Sequence, residues 1–183
     1  FSFEGTGTGY EVCLQKSDGR QTCEPITVPD FDNAFTRVKE AVLAYCTEQR
    51  TTLDLISLRL VVPGSAFAKH RLIDAVCLSE IYNHEFSAPL HIPAIIREIE
   101  ACKIHYPKVP LVGVSDTAFH TTLPFVAKRY SLKTADANEL DLYRYGYHGL
   151  SIGSVVHRVH AVTGKDPERM VVCHVGNGVS VTA

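Results

Sequence analysis

The sequence has 183 residues, 45% of them hydrophobic, and a formal net charge of -2. That is enough apolar material for a packed core, with one domain, residues 1–183, the expected count. The near-neutral balance gives no broad basic field for nucleic acid or an anionic membrane surface, and no apolar run approaches the roughly 20 residues of a spanning helix.

Residues 1–28 alternate short apolar stretches with turn signals, Gly5-Thr6-Gly7-Thr8-Gly9 and Ser17-Asp18-Gly19, as in a β-meander. From about Asp32, apolar residues recur every three or four positions (Phe35, Val38, Ala41, Val42, Tyr45), which predicts a helix over 32–49 with an acidic start. A β-branched and leucine run over 55–62 predicts a buried strand that ends at Pro63-Gly64. Helices are expected at about 72–83 and 93–104, separated by a rigid turn at Ala88-Pro89-Leu90-His91-Ile92-Pro93, where proline forbids a continuous helix. A second strand is expected over 109–114, a helix over 149–162, and a third strand over 170–175 that Gly176-Asn177-Gly178 turns into a fourth. Strands alternating with helices predict an α/β layered domain, and the opening meander makes its sheet mixed. Phe1-Ser2-Phe3 and the last five residues both read as strand interiors, so both ends are expected to be cuts in a longer chain.

The six cysteines include no C-x-x-C pair, which argues against a zinc knuckle or a dithiol redox motif. Cys13 and Cys23 flank the Asp18-Gly19 turn and can face each other across a hairpin, but the expectation is reduced, mostly buried thiols in a cytosolic protein. No charged-then-apolar leader is read at the start. His157 and His160 lie three apart on a predicted helix without an H-E-x-x-H pattern, and two surface histidines are expected. No G-x-S-x-G, Walker or G-x-G-x-x-G motif is present.

Three polar stretches follow predicted strands or open a helix, where α/β sheets place ligands. In Ser115-Asp116-Thr117-Ala118-Phe119-His120, the carboxylate either serves chemistry, holding magnesium or a proton, or caps its own turn through the N–H of Ala118 or Phe119. In Tyr145-Gly146-Tyr147-His148-Gly149, the histidine either converges with backbone N–H groups on an anion or lies on a surface glycine turn. In Cys173-His174-Val175-Gly176-Asn177-Gly178, the tip either lets backbone approach a phosphate or is only a type I′ hairpin turn.

Taken in order with Ala88-Pro89-Leu90-His91, these blocks resemble the acetate kinases, members of the acetate and sugar kinase–actin superfamily. The third block is similar to the family's Y-G-F-H-G-T-S-H and the fourth to its C-H-L-G-N-G. The resemblance is plainest over residues 55–183. It implies a ribonuclease-H-like, actin-like ATPase half-domain, truncated at both ends, and reversible transfer of the ATP γ-phosphoryl group to acetate with Mg2+. By position it implies Asp116 as a catalytic residue that organises the metal directly or indirectly, and His148 as the group that stabilises the transferring phosphoryl. It implies Arg59, Val62, Leu90, His91 and Tyr147 at the acetate site, and His174, Val175, Gly176, Asn177 and Gly178 as the nucleotide-phosphate loop.

The sequence departs from the family pattern at H-R-V-V-H-G-G. Aligning the two valines puts Leu60 at the arginine's position and Arg59 one residue early, so a regular strand would point Arg59 the wrong way unless a bulge re-aims it. Ile152 stands where T-S-H has its histidine, and Tyr147 replaces a phenylalanine. The resemblance also implies a first strand with an N-x-G-S-S-S-x-K loop before Phe1 and a nucleotide domain after Ala183, so the chain alone is expected to form no acetyl phosphate. The intact protein is expected to be a homodimer. A propionate or butyrate kinase and a non-catalytic ligand- or partner-binding descendant are the alternatives.

Overall fold

A computed structural model describes the chain except residues 1, 7–8, 17 and 27–30, with the side chains of 1–10, 17 and 26–34 likewise outside the described set. The Gly7-Thr8 turn tip and the acidic start of the first helix at Asp32 therefore lie outside the described residues. The chain divides into two compact units, Phe1–Asp54 with Ala101–Lys108, and Leu55–Glu100 with Val109–Ala183.

In the first unit, β1 (Ser2–Thr6), β2 (Gly9–Gln15) and β3 (Gln21–Ile26) form the expected antiparallel meander. Helix α1 (Phe31–Gln49) packs Val38 and Val42 against Val12 and Leu14 of β2. Phe35 is buried and stacks on His105 at 5.3 Å. The expectation of reduced thiols fails at one pair: Cys13 and Cys23 form a disulfide. They are direct cross-strand partners on β2 and β3, with Cα atoms 4.1 Å apart, so register alone brings the sulfurs together. Cys77 and Cys102 are buried as expected, and Cys173 is exposed.

The second unit holds a mixed sheet of order β4-β6-β5. Strands β4 (Ile56–Leu60) and β6 (Leu111–Ser115) run parallel, and the two-residue β5 (Arg71–Leu72) pairs antiparallel to β6. The last strand pair, β7 (Val172–Val175) and β8 (Val179–Thr182), is an antiparallel hairpin of its own. Helix α2 (Ala75–Asn83) begins later than its periodicity suggested, because Asp74 caps it by accepting from the Cys77 N–H at 2.8 Å, and the preceding Arg71–Leu72 is strand. In α3 (Ile92–His105), Ile92, Ile95, Ile96 and Ile99 form one buried stripe at three- and four-residue spacing. Pro93 falls in the first turn, where its missing N–H costs no intrahelical bond.

Short helices absent from the sequence reading fill the rest. They are a 3₁₀ turn at Ser65–Phe67, a longer 3₁₀ stretch Asp116–Thr122, α4 (Phe125–Lys128) and α5 (Thr134–Glu139). Helix α6 (Gly149–Thr163) starts at the predicted residue and stops at Gly164, whose φ of 69° is the left-handed C-cap that glycine accommodates. Ile152 is wholly buried, so the side chain in the T-S-H histidine's place adds to the core. His157 and His160 are exposed, as expected. No described helix is long and apolar enough to cross a membrane.

Candidate active site

Asp116 is the centre of the site. It follows β6 directly and is wholly buried. It does not cap its own turn: Ser115 does that, its hydroxyl accepting from the Thr117 N–H at 3.2 Å. Asp116 instead caps α6 from across the fold, Oδ2 accepting from the His148 N–H at 3.1 Å and Oδ1 from the Leu150 N–H at 3.2 Å. A carboxylate facing two N–H groups of a helix's first turn also meets the positive end of its dipole. The close approach needs a glycine: a Cβ on Gly149 would lie 1.9 Å from the Asp116 carbonyl oxygen.

Arg59 completes this centre, its Nη2 lying 2.5 Å and its Nε 3.2 Å from Asp116 Oδ2. The expected need for a bulge is not met, because β4 keeps regular parallel register with Arg59 opposite Val114 and Leu60 opposite Ser115. Leu58 and Leu60 fill the core side, Leu60 so close to Gly113 that a Cβ there would meet its Cδ1 at 2.3 Å. Arg59 therefore points to the other side, where a long side chain from a neighbouring parallel strand reaches the residue just past the end of β6. Its side chain stays 54% exposed, leaving the outer edge of the guanidinium to solvent.

His148 occupies the N-cap of α6 in the left-handed region, φ 59°. Its Nδ1 is 2.8 Å from Ser180 Oγ, and its ring stacks on that of His174 at 4.0 Å and 14°. His174 Nδ1 is in turn 3.0 Å from Ser151 Oγ on α6. The tip of the hairpin closes on the same ring, a Cβ on Gly178 meeting His148 Cε1 at 3.0 Å and Nε2 at 3.2 Å. Desolvation pushes the His148 pKa below the ordinary histidine value. The neighbouring His174, Arg59 and His91 add to this, and Asp116 opposes it.

Behind this layer, His120 is buried and its Nε2 lies 2.9 Å from the Tyr147 carbonyl, which sets the loop entering His148. Gly146 turns there with φ 77°, and a Cβ would strike the His120 ring at 2.5 Å. Thr117 is buried and donates to the Val62 carbonyl at 3.1 Å, tying the end of β4 to the Asp116 segment.

The structure thus brings together Arg59, Asp116, His148, His174 and Gly178, with His91 near enough to interact electrostatically with His148. Val62 is buried and Tyr147 half-buried, its hydroxyl pKa raised mainly by burial. Leu90 is 88% exposed on the turn before α3, too open for the wall of an enclosed methyl pocket. Val175, Gly176 and Asn177 form the exposed hairpin tip. The sequence reading missed Ser151, Ser180 and His120. For Ser180 the turn signal pointed one residue off: a two-residue Asn177-Gly178 turn would pair His174 with Val181, whereas the three-residue connection Gly176–Gly178 pairs it with Ser180.

A direct magnesium ligand does not fit Asp116. Its carboxylate is wholly buried, and both oxygens accept from N–H donors already. Among the described residues, no three His, Cys, Asp or Glu ligand atoms cluster at this site.

A mixed sheet with two parallel strands among helices, and an arginine–aspartate pair just past the end of β6, define an α/β fold with polar groups where such sheets place ligands. The chain belongs to the acetokinase family, whose model matches residues 4–183. It is 36% identical over 180 residues to the acetate kinase of Acetivibrio thermocellus, a match covering 97% of this chain and 44% of that protein. Its fold matches a propionate kinase from Francisella tularensis with a TM-score of 0.73 and 28% identity, covering 96% of this chain and 44% of that one. Porphyromonas gingivalis acetate kinase gives 0.66 and 28%, over 94% and 45%. The chain spans about half the length of the curated relatives it matches.

Proposed function

We propose that these 183 residues act as a single N-terminal acetate-kinase-like domain, supplying the acetate and phosphoryl wall of a site that reversibly moves the ATP γ-phosphoryl group onto acetate, giving acetyl phosphate and ADP. The observation that carries the reading is the convergence of Arg59, Asp116 and His148 beside the His174–Gly178 hairpin. Phosphoryl transfer asks for alignment and for donors around the equatorial oxygens rather than for covalent chemistry.

In this reading the exposed edge of Arg59 binds the acetate carboxylate, while Asp116 holds the guanidinium and the start of α6 in one geometry. His148 donates to the transferring phosphoryl, with the backbone of Gly176, Asn177 and Gly178 and the side chain of His174 along the nucleotide phosphates. Tyr147, Val62, Leu90 and His91 face the substrate's other end. ATP enters as its magnesium complex, with no metal ligand drawn directly from Asp116. The enzyme works in the cytoplasm as a homodimer.

Because Leu90 stands exposed, the methyl side of the site is open, which favours propionate as a second substrate. A methylene in an apolar pocket is worth only about 1–3 kcal/mol. The test is a hydroxamate assay on the intact protein with acetate, propionate and butyrate in parallel. Acetyl hydroxamate formed fastest supports the reading, and no acyl phosphate from any acid refutes it. The 183-residue chain alone is expected to give no measurable product; turnover matching the intact protein would overturn that part.

A further inference from the structure

His148 is gripped by one cross-strand pair of the terminal hairpin. His174 and Ser180 sit opposite each other on β7 and β8, so their side chains emerge on the same face. One covers the face of the His148 ring at 4.0 Å, and the other reaches its Nδ1 at 2.8 Å. The His148 backbone N–H is already given to Asp116, and the Cε1–Nε2 edge of the ring lies along Gly178. The ring is thus fixed on its face and at Nδ1, and Nε2 is the atom turned toward the phosphate loop.

We propose that Ser180 is a positioning residue: its hydroxyl donates to Nδ1 of His148 and commits the ring to carrying its proton on Nε2, where a transferring phosphoryl oxygen accepts a hydrogen bond. The inference rests on the phosphoryl-transfer reading above.

The proton count supports this direction. A neutral imidazole has one N–H, and a serine hydroxyl can donate or accept. If Ser180 accepted, the His148 proton would sit on Nδ1 and a bare Nε2 lone pair would face phosphoryl oxygens. If Ser180 donates, Nε2–H faces them and no extra proton is needed. The surroundings make that economy matter: desolvation, and the neighbouring His174 from β7, Arg59 from β4 and His91 from the turn before α3, all oppose a second proton, against Asp116 alone. His174, stacked on this ring, likewise has its Nδ1 against a serine hydroxyl, Ser151 Oγ at 3.0 Å.

Two arms test this in the intact protein. With 15N-labelled histidine near neutral pH, a long-range 1H–15N spectrum is expected to show His148 with a protonated Nε2 and an unprotonated Nδ1; the opposite pattern overturns the proposal. In the hydroxamate assay, Ser180→Ala is expected to lower kcat by about tenfold, the scale of losing a residue that orients a catalytic group. KM for acetate and for ATP should stay within about twofold, because the role proposed for Ser180 is exerted through His148 and not on either ligand. Ser180→Thr keeps the hydroxyl and is expected to restore most of kcat. Wild-type kcat in Ser180→Ala, or equal loss in Ser180→Thr, refutes the positioning role. Should Ser180→Ala fail to fold, the threonine variant and the wild-type tautomer still decide. An intact wild-type protein that makes no acyl phosphate would instead remove the phosphoryl-transfer reading, and the tautomer spectrum would still stand as a separate result.

Discussion

The floor of the site and the hairpin beside it are built by different means. The floor is backbone-determined: Asp116, Thr117 and His120 are buried, and Asp116 is fixed by two main-chain N–H groups and an arginine. The hairpin is held through side chains, with Val175, Val179 and Val181 between 65% and 78% exposed and the link to His148 made by Ser180 and His174. Geometry set by buried main chain cannot be altered without cost to the fold. Geometry set by two exposed-strand side chains can be altered almost independently of it.

Asp116→Ala should show the largest effect. It leaves the His148 and Leu150 N–H groups and a guanidinium without their acceptor, at a cost of about 3 kcal/mol, read as a lower denaturant midpoint. Acyl phosphate formation should fall by more than about a thousandfold. A variant of unchanged stability would show that the floor is not built on this carboxylate.

Gly149→Ala tests the same floor without removing a polar group. Its Cβ must displace the Asp116 carbonyl, and overpacking of that kind costs about 3 kcal/mol. A fall in Tm of roughly 10 °C is expected for a chain of this size. Gly178→Ala is the contrasting change in the hairpin. Its Cβ presses the His148 ring by only a few tenths of an ångström, so stability should move by less than about 0.5 kcal/mol while kcat drops about tenfold. Comparable losses of stability in the two glycine variants would erase the distinction.

The smallest effect is a pH dependence. Because the folded chain holds the His148 pKa below the unfolded value of about 6.5, it binds fewer protons than the unfolded chain near that pH. The contribution to stability is full above about pH 7.5 and is lost as pH falls from the unfolded value through the folded one. In denaturant melts at two pH values, the parent should therefore lose stability relative to His148→Gln on going from the alkaline to the acid side. A His148 that titrates at or above the ordinary value would contradict the environment described for it.

Much of this was legible in the sequence. Periodicity placed α1, α3 and α6 nearly to the residue, and the four motif blocks carried the family and the positions of Asp116, His148 and His174. Short helices such as α4 and α5 were not, because four to six residues complete too few turns to show a period. The placing of Arg59 beside Asp116 without a bulge was not legible for a related reason. Counting along one strand says which side a residue leaves from, but the reach to Asp116 depends on which strand lies alongside and where it ends.

The sequence by itself determined what repeats locally or is written in residue order: the helical stripes, the Asn-Gly turn, the glycines around His148 and the order of the blocks. Only the tertiary structure decided which group each of them serves. Asp116 caps α6 rather than its own turn because α6 packs on it at Gly149, 33 positions along the chain, and Cys13 meets Cys23 because the hairpin register puts them opposite. Local pattern fixes what a segment can become, since it acts through neighbours in sequence. Partners distant in sequence are chosen by how the segments pack, and no local pattern carries that distance.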